Sequence, residues 1–255
     1  MNQDLNQIMG DWDYSSTEIT VRKIMGMDGK EKIQMRVALG LFQMEITGRP
    51  DGKKPYGFES LFDFSLNRLE QHTQKHSSSD GFFLDPTICI ELRQESLQYY
   101  YRYLSLFILG DYEYVVRDTT RNLQLFDFIK EYARDDVDKL SMEQYRPYVI
   151  MMYSRSKAYL EMKNDDYSTA ENIVENAMIE IEQFYISMGQ PEYVQSSYEL
   201  GLLRELKKEI VDKMPVNYVA KLKMDLQNAV SREDFEKAAE LRDLIKKIEG
   251  QNSHP

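Results

Sequence analysis

The spacing of hydrophobic residues divides the chain into a short N-terminal part with a period of two and a longer part with a helical period. Apolar and polar side chains alternate over residues 17–25, 32–37 and 39–47, which is typical of half-buried strands. Gly26-Met-Asp-Gly29 stands between the first two segments and supplies the Asp-Gly signal of a tight turn. The pattern therefore predicts a small antiparallel β module within residues 1–57.

From Phe58 onward the apolar residues recur three or four positions apart, as one face of a helix requires. A helix and a serine-rich linker are expected over residues 58–80. Asp85-Pro86 then begins a helical array over residues 85–214, because aspartate caps a helix and proline suits its first position. Breaker residues separate five predicted helices, which cover residues 87–109, 112–134, 142–162, 167–188 and 191–214.

Residues 216–249 predict two amphipathic helices joined by a very short connection. Apolar residues occur at helical spacing both before and after Ser231, and Asp234 follows three positions later. This arrangement is close to a capping box in which Ser231 begins the second helix. We therefore expect an antiparallel αα-hairpin, with the ring of Phe235 filling its closed end.

The start of the second predicted helix also carries a family resemblance. Asp-Phe-Glu at 234–236 and Ala-Ala-Glu-Leu-Arg-Asp at 238–243 resemble the UVR motif, the C-terminal hairpin of the bacterial excision-repair subunit UvrB and the matching segment of UvrC. The motif also occurs in stress-response partners of the Clp chaperone system. In that family the hairpin docks proteins and holds no catalytic residue, so the resemblance implies protein binding rather than a reaction.

The resemblance implies a partner that pairs with the hairpin, either a second copy of this chain or another UVR-containing protein. That partner would belong to excision repair or to protein quality control. Phe235, Ala239, Leu241 and Ile245 are expected to be buried by the partner, with charged residues forming ion pairs at the rim. The complete set of expected contact residues is Leu222, Leu226, Phe235, Glu236, Ala238, Ala239, Leu241, Arg242, Asp243 and Ile245.

An internal repeat with an offset of 55 residues runs through the helical array. Its second copy resembles a tetratricopeptide repeat, with small residues at Ala158, Ala170 and Ala177, whereas the first copy has larger side chains there. The predicted fold class is mainly α with a small N-terminal antiparallel β module. A tetratricopeptide-like array of helical hairpins follows the module, and a UVR-like αα-hairpin ends the chain.

Composition and charge narrow the classes of function. No apolar run approaches the length of a membrane span, and Cys89 is the only cysteine, so no intramolecular disulfide can form. The N-terminus shows no signal-peptide pattern, and we expect a cytoplasmic bacterial protein. Residues 61–215 hold 17 Lys and Arg against 27 Asp and Glu. Such an acidic region repels nucleic acid, which makes direct nucleic-acid binding a less favoured alternative.

Two features keep other functions open. The loop 48–57 combines glycines with cations, and Arg49, Lys53, Lys54 and Tyr56 could form a pocket for an anionic ligand or an enzyme's substrate. The alternative is a tight connection in which the glycines serve only the backbone. The tyrosines of 99–103 could stack on single-stranded bases, but the surrounding acidity favours helix packing or a peptide-binding groove.

The sequence shows no complete catalytic or metal-binding pattern. His72 and His76 are four residues apart, yet no third ligand accompanies them, and we expect neither a metal nor a cofactor. The many acidic residues have the spacing of solvated helix faces. The favoured function is therefore a non-catalytic adaptor that docks a protein through its C-terminal hairpin.

Overall fold

The computed structural model describes residues 5–10, 12–214 and 218–251. The predicted class is confirmed, because the chain is mainly helical with a three-stranded antiparallel sheet near its N-terminus. Val216, where we predicted the hairpin to begin, lies outside the described residues. The helices are α1 (Leu5–Met9), α2 (Leu61–His76), α3 (Pro86–Ile108), α4 (Tyr112–Tyr132), α5 (Asp136–Leu140), α6 (Arg146–Lys163), α7 (Tyr167–Ser187), α8 (Tyr193–Ser196), α9 (Tyr198–Lys213), α10 (Tyr218–Ser231) and α11 (Phe235–Gln251).

The sheet consists of β1 (Val21–Met25), β2 (Glu31–Val37) and β3 (Gly40–Glu45), in that spatial order. Ile33 lies opposite Met44 across the β2–β3 pair, and both side chains are buried. They belong to one hydrophobic core with residues of α3, α6 and α7, so the sheet packs directly on the helical array. The predicted hairpin is confirmed, but the alternation is interrupted in β2, where Gln34 is buried between Ile33 and Met35.

Capping side chains explain where several helices begin. Asp85 Oδ1 accepts hydrogen bonds from the backbone N–H groups of the second and third residues of α3, at 3.0 and 3.2 Å. Ser197 Oγ accepts from the backbone N–H of Leu200 at 3.1 Å and begins α9. The predicted single helix over 191–214 is therefore wrong, because Ser197 has an extended backbone and separates α8 from α9.

The start of the third predicted helix is also corrected. The helix begins at Arg146 instead of residue 142, and the separate short helix α5 precedes it. Ser141 Oγ donates to the carbonyl of Asp138 at 2.6 Å, so this hydroxyl closes α5 and does not cap α6.

The array is built from helices that pack in succession, α3 on α4, α4 on α6, α6 on α7, and α7 on α9. Gly110 and Asp165 have positive φ values of 77° and 58° in the short connections after α3 and α6. Ala158 of α6 and Ala170 and Ala177 of α7 are buried in the core of the array. Helix α2 lies against α3 and α4 in a second apolar cluster.

Candidate functional site: the C-terminal hairpin

Helices α10 and α11 form the predicted αα-hairpin. Their buried residues are spaced three, four or seven apart, so each helix turns a single apolar face toward the other. The hairpin core is made by Tyr218, Leu222, Ala229, Ala238, Leu241, Ile245 and Ile248.

The connection between the helices is capped differently from the prediction. Ser231 is the last residue of α10, and its Oγ donates to the carbonyl of Gln227 at 2.9 Å. Glu233 takes the left-handed conformation, with φ of 59°. Asp234 Oδ1 accepts from the backbone N–H of Lys237 at 3.1 Å. Asp234 is therefore the cap of α11, and the expectation that Ser231 fills this role is wrong.

Phe235 is 69% exposed, so the expectation that its ring fills the closed end of the hairpin is also wrong. At about 100° per residue, the buried residues of α11 centre on a direction roughly 100° around the helix from Phe235. Ala239 and Arg242 lie on the same side as Phe235 and are exposed. These three residues form one solvent-facing stripe, which we call the α11 stripe.

The ten expected contact residues separate into two groups. Leu222, Ala238, Leu241 and Ile245 are buried between α10 and α11, and Leu226 is half-buried. The expectation that a partner buries Leu241 and Ile245 is corrected, because the chain buries them itself. The exposed residues of the set are Phe235, Glu236, Ala239, Arg242 and Asp243. Whether these exposed residues bind a partner stays a prediction.

The hairpin contacts the array at a few points around the start of α7. The hydroxyl of Tyr218 accepts from the backbone N–H of Ser168 at 3.2 Å. Lys247 Nζ donates to Oε2 of Glu175 at 3.0 Å, and Lys207 Nζ donates to Oε1 of the same carboxylate at 2.8 Å. Burial opposes ionisation of Glu175, but the two lysine hydrogen bonds outweigh it and lower its pKa.

A buried ionic cluster joins the sheet to the array, and sequence reasoning missed it. Arg102 and Asp118 are each 1% exposed and form a two-point ion pair with distances of 2.7 and 2.9 Å. Arg102 Nη1 also donates to the carbonyls of Glu45 and Gly48, at 3.0 and 2.7 Å. The guanidinium thus holds the end of β3 against α3.

Glu95 occupies the other half of this cluster and is fully buried. Its carboxylate accepts from the backbone N–H groups of Leu61 and Phe62 at the start of α2, and it pairs with Arg49 and Arg121. The expectation that acidic helix residues face solvent is therefore wrong for Glu95 and Asp118. Their local spacing resembles that of an exposed face, so no sequence signal distinguishes them.

The loop 48–57 does not gather its cations into a pocket. Arg49 lies 3.3 Å from Glu95, and the exposed Lys54 pairs with Glu59. Lys53 is exposed, and the ring of Tyr56 stacks on Phe64 at 4.3 Å. The predicted anion site at these residues is wrong, because the buried carboxylate of Glu95 draws Arg49 inward and the other side chains diverge.

The cysteine and histidine side chains considered for catalysis or metal binding show no arrangement for either role in the described residues. Burial raises the pKa of the Cys89 thiol to about 11, so it is protonated at neutral pH. His72 Nε2 lies 2.9 Å from the carbonyl of Asp80. Within residues 5–10, 12–214 and 218–251, no three His, Cys, Asp or Glu side chains converge as a metal site requires, and no helix has the length and apolarity to span a bilayer.

The tyrosines of 99–103 lie between helices and the sheet. Tyr99 and Tyr103 are buried, and the guanidinium of Arg121 lies 4.0 Å from the ring centre of Tyr99. Tyr101 contacts Phe42 of β3, with ring centres 4.7 Å apart. These rings are therefore part of the packing, and their faces are not presented as a row for base stacking.

Comparison with known proteins agrees with the hairpin geometry. The family model described as the UvrB/uvrC motif matches residues 217–251, a segment that includes α10 and α11. The chain therefore carries a UVR motif, a protein-interaction or DNA-repair module, and the resemblance predicted from sequence is confirmed. Searches of curated proteins and of solved structures found no match. The tetratricopeptide-like resemblance of the array stays a prediction.

Proposed function

We propose that this chain is a non-catalytic adaptor that docks a protein partner through the α11 stripe of its C-terminal hairpin. The observation that carries the proposal is the 69% exposure of Phe235 on a hairpin whose own core is already closed by other residues. Covering a large exposed ring with a partner removes apolar surface from water, which favours binding.

The residues around Phe235 suit a helix as the partner. Ala239 follows one turn later and lets another backbone approach closely, because it has only a methyl side chain. Arg242 of the stripe forms an exposed ion pair at 3.0 Å with Asp243, and Glu236 is exposed as well. Exposed charges at the rim of an interface fix the register and select partners more than they add affinity.

The partner that we propose is a second UVR-type hairpin, in another protein or in a second copy of this chain. The match to the UvrB/uvrC motif supports this choice and the wider proposal of a role in excision repair or protein quality control. The residues 216–255 have equal numbers of acidic and basic side chains, whereas residues 61–215 are strongly acidic. This charge distribution favours contact with protein over contact with nucleic acid.

A photo-crosslinking residue placed at Ala239 of the full chain, expressed in cells, tests the proposal. We expect a discrete crosslinked partner whose yield falls at least tenfold when Phe235 is also changed to Ala. The matched control is Ile186→Ala, which removes a 60% exposed side chain from α7 and should leave the yield unchanged.

Sedimentation of the purified chain separates self-pairing from binding to another protein. A dimer that dissociates in Phe235→Ala would make the partner a second copy. Crosslinks that persist equally in Phe235→Ala, or the absence of any crosslinked species together with a monomer at all concentrations, would contradict the proposal.

A further inference from the structure

A groove of about 940 Å³ lies on the helical array, far along the chain from the hairpin motif, between α3, α5 and the start of α6. Buried side chains of Tyr103, Phe126 and Val149 form its floor. Sites that bind ligands of drug or short-peptide size usually measure about 300–1,000 Å³ and are mostly apolar. The groove therefore has the size and the floor of a binding site.

The walls of the groove expose apolar side chains to solvent. Ile90 and Leu97 on α3 are 46% and 50% exposed, and Val137 on α5 is 82% exposed. Ile90 and Leu97 are seven residues apart, so they stand on one face of α3 about 10 Å from each other. That length accommodates about three residues of an extended peptide at roughly 3.3 Å each.

Aromatic rings line the part of the groove beside α6. The rings of Tyr100 and Tyr148 have centres 5.9 Å apart. Tyr145, at the rim, is 52% exposed. The faces of such rings attract a lysine or arginine side chain because the ring quadrupole is negative above its plane.

The charges of the groove favour the same kind of ligand. Arg93 is already paired with Asp138, so the groove offers no spare cation for an anionic ligand. Glu199 accepts from the hydroxyl of Ser197 at 2.9 Å, and in the described parts of the chain no Lys or Arg side chain pairs with it. The lining therefore carries a net negative charge.

We propose that this groove docks a segment of a partner protein that presents two or more apolar side chains and one lysine or arginine. The apolar side chains cover Ile90, Leu97 and Val137, and the cation lies against the tyrosine faces near Glu199. This surface is separate from the α11 stripe, so the adaptor would join two partners. A nucleic acid is disfavoured because its phosphates would meet the carboxylates of the groove.

Selection of a random dodecapeptide phage library on the immobilised full-length chain tests this proposal. We expect the enriched peptides to combine Leu, Ile, Phe or Trp with Lys or Arg. The synthetic peptide made from the most enriched clone should bind, and replacing its basic residue with Glu should weaken binding at least tenfold.

Two pairs of matched variants assign that peptide to the groove. Leu97→Gln should weaken its binding at least tenfold, whereas Ile179→Gln, which changes a side chain of nearly equal exposure (51%) on α7, should not. Glu199→Gln should weaken binding threefold to tenfold, whereas Glu205→Gln on the same helix should not. Phe235→Ala should leave peptide binding unchanged, which keeps this test independent of the proposed hairpin function.

Far-UV circular dichroism tests whether each variant folds. If Leu97→Gln does not fold, Ile90→Gln takes its place. The proposal is overturned if no peptide is enriched, or if the enriched peptides are acidic or lack a basic residue. It is also overturned if binding survives both Leu97→Gln and Ile90→Gln. A dimer of the full chain that dissociates in Leu97→Gln would assign the groove to a second copy and would overturn it too.

Discussion

The sheet and the C-terminal hairpin are attached to the same helical array in opposite ways. The sheet shares a hydrophobic core with α3, α6 and α7, and the buried Arg102 binds the end of its last strand to the array. The hairpin has a separate core and contacts the array through Tyr218, Lys247 and a few neighbouring side chains. The charge pair of the first attachment, Arg102–Asp118, is buried, whereas that of the second, Lys247–Glu175, is partly exposed.

The contrast shows how charge pairs differ with their surroundings. Arg102 and Asp118 are removed from water, so the attraction between them must offset the cost of desolvating both charges. Lys247 and Glu175 remain about a third exposed, where water and salt screen their attraction. We infer that the sheet is integral to the stability of the array, while the hairpin is left comparatively free to meet a partner.

Removing the buried carboxylate of Asp118 is expected to have the largest effect on the stability of the fold. Asp118→Asn leaves the guanidinium of Arg102 buried without a counter-charge, and we expect a loss of about 3–5 kcal/mol in the free energy of unfolding. Urea denaturation measures it. The control Asp127→Asn removes a carboxylate that is 66% exposed and pairs with Arg146, and it should cost less than about 1 kcal/mol. Equal losses in the two variants would refute the distinction between buried and exposed pairs.

A smaller effect is expected inside the hairpin. Leu241→Ala opens a cavity between α10 and α11 and should cost at the lower end of about 2–5 kcal/mol, because the hairpin core contains few buried residues. Phe235→Ala removes an exposed ring and should change stability by no more than about 0.5 kcal/mol. Hydrogen exchange of the α10 and α11 amides measures the loss of stability in each of the two variants. Similar loss of protection in both variants would mean that the ring of Phe235 supports the hairpin core.

The smallest expected effect is the pH dependence of the hairpin contact. The pKa of Glu175 is lower in the folded chain than in the unfolded chain, so its contribution is present above the unfolded value of about 4.3. It is lost as pH falls through the lower folded value. Hydrogen-exchange protection of α11 should therefore decrease in acid, by less than about 1 kcal/mol.

Two variants test whether Glu175 causes that decrease. Glu175→Gln should abolish the pH dependence of α11 protection, while Glu180→Gln, on an exposed part of α7, should retain it. If the decrease is the same in both variants, other carboxylates produce it and the Lys247 contact has no part in it.

Local patterns predicted the elements of this fold well. The alternation around Gly29 and the helical spacing after Asp85 depend on neighbouring residues, so a strand pair and a succession of helices could be read directly. The helix boundaries near Ser197 and Ser141 were less predictable, because serine can either cap a helix or bond within a turn. The ten residues of the expected contact set were placed on the correct helices, but their division into buried and exposed groups was not predicted.

The sequence by itself determined that the chain is mainly helical, that a β module precedes the helices, and that a UVR-type hairpin follows the array. These properties follow from short-range periodicity and capping, which the order of residues contains. Only the tertiary structure decided that Glu95 and Asp118 are buried, that Phe235 faces solvent, and that α3, α5 and α6 leave a groove. Each of those outcomes depends on which distant segment covers a helix face, and periodicity within one helix does not specify its neighbours.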